Sequence, residues 1–188
     1  NENKVEKLSF KNKNDINKAI EDIKSKDYEI IDISSKIYNR NPSGPFTTST
    51  LQQSSSAKLG FGASRTMQIA QRLYQGIDID GDSVGLITYM RTDGTNISKE
   101  AIPLFRTYIE NNFGKEYLPA QPLNYSGKKA KNAQEAHEAI RPTDVNRSPE
   151  KLKKYLSSDQ LKLYNLIWSR TLSSQMESAK FDRKTIVI

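Results

Sequence analysis

The chain has 188 residues and a mass of 21.3 kDa, room for one domain of ordinary size or for one domain and part of another. Its 29 Lys and Arg against 22 Asp and Glu give a net charge of +7, a balance that favours a polyanionic partner. The absence of cysteine and the single histidine exclude disulfide frameworks, thiolate zinc sites, cysteine nucleophiles and poly-histidine metal centres, and no apolar run approaches the ~18 residues of a membrane span.

Residues 1–30 hold seven Lys and seven acids and are neutral overall. Asp15 to Ile23 is expected to form a surface helix capped by Asp15, with Ile16, Ile20 and Ile23 on one stripe. Tyr28 to Tyr38 reads as a strand that runs into Asn41-Pro-Ser-Gly-Pro45, the first domain boundary. Beyond it Thr50 caps a helix ending at Gly60, and Ser64 caps a second through Gln75, with Met67, Ala70, Leu73 and Tyr74 at core spacing. Joined through Gly60-Phe61-Gly62, the pair resembles a helix-turn-helix element.

A turn over Asp78 to Ser83 then leads to a strand over Val84 to Tyr89. Ser98 precedes a helix reaching Phe113, whose first turns Pro103 makes irregular. A loop with Pro119 and Pro122 precedes a helix over Ala130 to Ile140, stopped by Pro142. Ser148-Pro149-Glu150 is a helix start, Asp159 to Met176 is the longest helical stretch, and Arg183 to Ile188 returns to strand. The expected class is therefore α+β: a mainly helical domain over 47–176, inserted into a partial β domain built from residues 1–46 and a return strand at 177–188. A chain that opens at Asn1 without Met and closes on a β-branched run reads as an excised fragment.

Between Asp32 and Asp78 lie 45 positions without an acid, carrying Lys36, Arg40, Lys58, Arg65 and Arg72 among many Ser, Thr, Gln and Asn. Cations and neutral donors without competing carboxylates suit a phosphate backbone; a surface that is merely basic is the alternative. In the strand expected at Val84, extended through Asp93, alternation places Tyr89, Arg91 and Asp93 on one side. A Tyr phenol is a poor nucleophile unless its developing charge and that of the substrate are stabilised. Arg91 could grip a phosphate with its fork and Asp93 could orient Arg91 or a histidine, although a packed ring beside a surface ion pair has the same spacing. His137 can bond to phosphate and change charge near neutrality, with Arg141 one turn on, or it can be an ordinary surface histidine. Asp78-Ile-Asp80-Gly81-Asp82 is not a calcium loop, since the sixth and twelfth positions hold Ser83 and Tyr89; a hairpin-like turn is expected.

Five segments taken together, Pro45-Phe-Thr-Thr-Ser-Thr-Leu-Gln-Gln53, Leu59-Gly-Phe-Gly62, Thr66-Met-Gln-Ile-Ala-Gln-Arg-Leu-Tyr74, Gly85-Leu-Ile-Thr-Tyr-Met-Arg-Thr-Asp93 and Ala136-His-Glu-Ala-Ile-Arg-Pro-Thr143, resemble the central region of type IA DNA topoisomerases of the bacterial topoisomerase I kind. The resemblance implies that Tyr89 attacks a single-strand phosphodiester to form a 5′-phosphotyrosine link, that Arg91 contacts the scissile phosphate, and that Asp93 and His137 share the site. It implies single-stranded DNA and the remaining domains of the same polypeptide as partners; Lys58, Arg65 and Arg72 of the acid-free stretch, with Arg141, are the expected contacts to nucleic acid, and a cytoplasmic, nucleoid-associated location is expected. Gly94 departs from the family's usual Ser. The family's Mg²⁺ and its catalytic Glu and Lys belong to a Toprim domain with an Asp-x-Asp-x-Glu pattern that this sequence does not contain, so no metal is expected here and the chain alone is expected to be inactive. The competing expectation is a non-enzymatic module in which Leu51 to Gln75 reads duplex DNA through Gln68, Gln71 and Arg72 while Tyr89 is core.

Overall fold

The computed structural model describes residues 6, 9–125 and 138–188. Its elements in chain order are α1 (Lys13–Lys24), β1 (Asp32–Arg40), α2 (Thr48–Leu59), α3 (Ala63–Gln75), β2 (Ile77–Ile79), β3 (Asp82–Val84), α4 (Ala101–Phe113), a 3₁₀ turn (Lys115–Tyr117), α5 (Pro149–Leu152), α6 (Ser158–Ser173) and β4 (Ala179–Val187). Helices and small sheets occur side by side, an α+β fold. Contacts divide the chain into two compact units, residues 1–38 with 180–188 and residues 39–179.

In the first unit β1 pairs with β4 in a two-stranded sheet. Ile31 N–H donates to the Val187 carbonyl at 3.0 Å, Ser35 Oγ bonds the Asp182 carboxylate, and Tyr38 stacks on Phe181 at 5.2 Å. These pairings run in opposite directions along the two strands, so the sheet is antiparallel. Helix α1 starts at Asn12, whose Oδ1 accepts the Asp15 N–H at 2.9 Å. Asp15 therefore sits at the third helical position and is not the cap, because an Asn three residues upstream satisfies the free N–H first.

The second unit holds the core. Thr47 and Thr50 close a capping box at the start of α2, and Ser157 with Gln160 closes another on α6, each satisfying two free backbone donors for about 1 kcal/mol. The α2 cap thus lies three residues before the expected Thr50, and Gly62 replaces Ser64 before α3. Helices α2, α3 and α6 enclose Leu51, Leu73, Leu163, Tyr164 and Ile167. A second cluster, Phe105, Ile109, Val145 and Leu172, seats α4, and Trp168 packs against both clusters.

Strands β2 and β3 pair antiparallel as a hairpin, Ile77 opposite Val84. Its turn residues Asp80 and Gly81 both have positive φ, 55° and 96°, the geometry of a type I′ turn, and the Asp78 carboxylate accepts the Gly81 N–H. Among the described residues the expected strand over Val84 to Tyr89 does not form: β3 ends at Val84, and beyond it Ile87 makes a single bridge, to Pro142. Proline has no N–H to extend a ladder. The helix expected over Ala130 to Ile140 falls mostly outside the described residues. At its described end Glu138 bridges Asn96 and Ile140 bridges Phe46, so these residues are extended, held by partners distant in sequence.

Candidate active site

Residues 85–93 leave the hairpin and run past the end of α3. Leu86 N–H donates to the Leu73 carbonyl at 2.7 Å, which brings the backbone so close that a Cβ at Gly85 would lie 2.8 Å from the Tyr74 carbonyl oxygen. Only glycine fits that approach. Beyond it, Met90 and Thr92 are buried while Tyr89, Arg91 and Asp93 are exposed.

The alternation survives without a strand because two threonines replace the ladder. Thr88 N–H donates to the Arg141 carbonyl at 2.9 Å, and its Oγ1 donates to the Ala139 carbonyl at 2.6 Å and accepts the Arg141 N–H at 3.0 Å. On the other side Thr48, the first residue of α2, bonds to the backbone of Met90 and Thr92. Tyr89 is thus carried between two tethers, one to segment 139–141 and one to α2.

The Tyr89 side chain is 50% exposed and lines a 390 Å³ cleft with Tyr74, Thr88, Arg91, Thr92 and Glu138. Tyr74 meets the Tyr89 ring edge-on, centroids 5.4 Å apart, a contact worth about 0.5–1.5 kcal/mol that restricts where the Tyr89 hydroxyl can point. Tyr74 is 40% exposed and does not belong to the core. The buried stripe of α3 is Thr66, Ala70 and Leu73, and Tyr74 falls just off it.

The Glu138 carboxylate in this cleft accepts the Ser98 N–H at 2.9 Å and pairs with Arg141 Nε at 2.6 Å. That pairing compensates a charge that would otherwise repel an entering anion. Arg141, only 12% exposed as a side chain, also donates to the Pro142 carbonyl, so its guanidinium is spent largely on the fold around the cleft.

Arg91 also lines a wider, 790 Å³ groove along the open face of α3, together with Arg65, Gln68, Arg72, Gln75 and Asp159. Arg72 is exposed there; Arg65 pairs with the Asp159 carboxylate and lies over the Phe61 ring, 4.8 Å from its centroid. Lys58 is exposed in the last turn of α2 and lines neither cavity. Asp93 is exposed on the same run as Tyr89 and Arg91 but is not part of the cleft lining. His137 lies outside the described residues. The structure therefore brings Tyr89 and Arg91 together, joins Arg91 to Arg65 and Arg72, and adds three residues that the sequence reading did not place at a site, Tyr74, Thr48 and Glu138. A tyrosine beside the buried stripe and a threonine inside a run of four Ser and Thr were the available signals, and neither stands out locally.

Among the described residues no group of three His, Asp or Glu could hold a metal ion. Of the acidic run at 78–82, Asp78 serves the turn and Asp80 accepts the Tyr155 hydroxyl at 2.6 Å. The residues do not fit a Mg²⁺ site. No helix is long and apolar enough to cross a membrane among the described residues.

Comparison with known proteins completes the picture. The family model described as DNA topoisomerase matches residues 1–188. DNA topoisomerase 1 of Rickettsia felis is 50% identical over 182 residues, 97% of this chain and 23% of that protein. The Campylobacter jejuni protein of the same name is 49% identical over 94% of this chain and 25% of its own length. The solved full-length topoisomerase I from Thermotoga maritima superposes with a TM-score of 0.79 at 38% identity, over 97% of this chain and 28% of that one. The chain spans about a quarter of the length of the curated relatives it matches.

Proposed function

The chain belongs to the bacterial DNA topoisomerase I family, and on that premise we propose that it is the segment of a type IA enzyme that carries the strand-cleaving nucleophile, Tyr89. The observation that supports this assignment most is the placement of the Tyr89 ring: half-exposed at a cleft shared with Arg91, steadied by Tyr74, on a backbone whose neighbours Met90 and Thr92 are buried. A core tyrosine in a duplex-reading module would be enclosed instead.

In the proposed reaction the Tyr89 hydroxyl loses its proton and its oxygen attacks a phosphodiester of single-stranded DNA. The new oxygen–phosphorus bond replaces the bond to the 3′ oxygen, which leaves and takes up a proton, and the 5′ end stays on the protein as a phosphotyrosine. One ester is exchanged for another, so resealing after strand passage needs no ATP and supercoils relax. Arg91 holds the charge that gathers on the phosphate, which a fixed guanidinium does without changing its own protonation. Arg72 and Arg65 line the groove that the strand would follow, and Lys58, Arg141, Asp93 and His137 are further members of the proposed set.

Mg²⁺ and the group that protonates the leaving oxygen are proposed to come from the Toprim domain of the full-length enzyme, and no step here runs through the metal. The apolar faces of α1, β1 and β4 suit the remaining domains of that polypeptide as partners, and a bacterial cytoplasmic, nucleoid-bound setting follows. Residues 1–188 by themselves should bind DNA without cutting it. Denaturing electrophoresis of the full-length enzyme with end-labelled single strands tests the nucleophile: Tyr89→Phe should abolish the covalent adduct while leaving DNA binding nearly unchanged, and an adduct that persists would reject Tyr89.

A further inference from the structure

We propose that Thr48 is a positioning residue for strand cleavage, a proposal that rests on Tyr89 being the nucleophile. Thr48 hydrogen-bonds the reacting segment from 42 to 44 residues away, with a longer contact of 3.1 Å from its Oγ1 to the Thr92 carbonyl beside three shorter bonds. Its N–H donates to the Thr92 carbonyl at 2.9 Å, its Oγ1 donates to the Met90 carbonyl at 2.7 Å, and the same Oγ1 accepts the Thr92 N–H at 2.8 Å. The Thr92 hydroxyl accepts the Gly94 N–H at 2.9 Å, a turn bond within the same segment.

The bonds reach the residues on both sides of Arg91, Met90 and Thr92, the first of which directly follows Tyr89. Among the described residues, Tyr89 and Arg91 have no bridge partner of their own, so the Thr48 bonds and the Thr88 tether are the hydrogen bonds that flank Tyr89 most closely. The Thr48 hydroxyl acts as donor and acceptor at once, which requires an Oγ and a hydrogen together. It stands at the first position of a helix rooted by the buried Leu51, so the segment inherits the rigidity of α2. Valine has nearly the same shape but no hydrogen-bonding group, and it would leave the Met90 carbonyl and the Thr92 N–H, both on buried residues, without those partners. A displacement of about 1 Å at a reacting group costs up to about 100-fold in rate.

The test separates chemistry from binding in the full-length enzyme. Single-turnover formation of the covalent adduct should slow by about 10- to 100-fold in Thr48→Val, the dissociation constant for a single-stranded oligonucleotide should stay within about threefold, and Thr48→Ser should recover most of the rate. An unchanged adduct rate in Thr48→Val, an equal loss in Thr48→Ser, or a loss confined to binding would overturn the proposal. Amide hydrogen exchange on the full-length enzyme supplies a second reading that does not depend on the variants folding: the Thr92 N–H should be protected in the wild type, and rapid exchange there overturns the proposal whatever the variants do. Tyr89→Phe is the control, because an adduct in that protein would reject the nucleophile without touching the Thr92 exchange result.

Discussion

Ile33 and Ile37 on β1, and Ile186 and Val187 on β4, are exposed, whereas Leu51, Leu73, Leu163 and Ile167 on α2, α3 and α6 are enclosed. The residue types are alike and the local geometry is regular in both units. What differs is the presence of a second layer: α2, α3 and α6 cover one another's apolar stripes, while no described residue of the first unit is buried. A sheet of two strands is marginal until something packs on its face. The hydrophobicity of a segment therefore states a demand for burial, and only the arrangement of neighbours says whether it is met.

The contrast can be broken first at its strongest point. Leu163→Ala should cost about 2–5 kcal/mol, since the side chain is fully enclosed and its removal leaves a cavity. Urea unfolding followed by Trp168 fluorescence reads this, because that single tryptophan packs against both clusters and donates to the Val145 carbonyl at 3.0 Å. A loss well under 1 kcal/mol would mean that the second unit is no tighter than the first.

Gly44→Ala should come next, at about 1–3 kcal/mol, because the added Cβ would stand 2.9 Å from the Tyr125 ring. That ring is fixed by its hydroxyl, which reaches the Pro42 and Ser174 carbonyls. The same unfolding curve measures the shift, and Tyr125→Leu in the Gly44→Ala background should recover part of it.

Alkaline pH offers a sharper and smaller probe. Burial, and then the nearby Asp144 carboxylate, hold the Tyr164 hydroxyl well above its ordinary pKa, while it donates to the Arg147 carbonyl at 2.7 Å. The folded chain thus keeps the proton more firmly than the unfolded chain. Its contribution is complete below the unfolded pKa of about 10 and declines above it, by at most about 1.4 kcal/mol per pH unit. Unfolding free energies between pH 9 and 11 should fall more steeply in the wild type than in Tyr164→Phe; parallel curves would show that Tyr164 does not control the decline. Ile37→Thr completes the series. It should shift the Trp168 transition by less than about 0.5 kcal/mol, and a larger shift would reveal that the open sheet supports the helical core.

Much of the fold was legible because its signals are local. The N-cap at Ser148 before Pro149, the turn at Asp80-Gly81 and the long helix beyond Asp159 each depend on groups within a few residues of one another, and they formed as the residues require. Caps shifted by three positions, at Asn12 and Thr47, where another short polar side chain lay upstream. The tyrosine and arginine at 89 and 91 could be singled out by chemical type and by resemblance to a family. Tyr74, read as core from its spacing, could not be placed correctly, because a residue at the margin of a helical stripe is buried or open according to what stands opposite.

The sequence by itself determined the α+β class, the helical character of the middle and the family, and it singled out Tyr89 and Arg91 as candidates. Tertiary structure alone decided how that pair is held. Among the described residues the segment expected as a strand makes one bridge, Ile87 to Pro142; its backbone otherwise bonds to Leu73 and Arg141, the Thr88 hydroxyl bonds the backbone of residues 139–141, and the Thr48 hydroxyl bonds that of Met90 and Thr92. Residues at 138–140 that read as helix are extended because Asn96 and Phe46 reach them first. Partners 40 to 94 residues apart leave no periodicity in the chain, since their hydrogen bonds exist only once the core of α2, α3 and α6 has brought them within 3 Å.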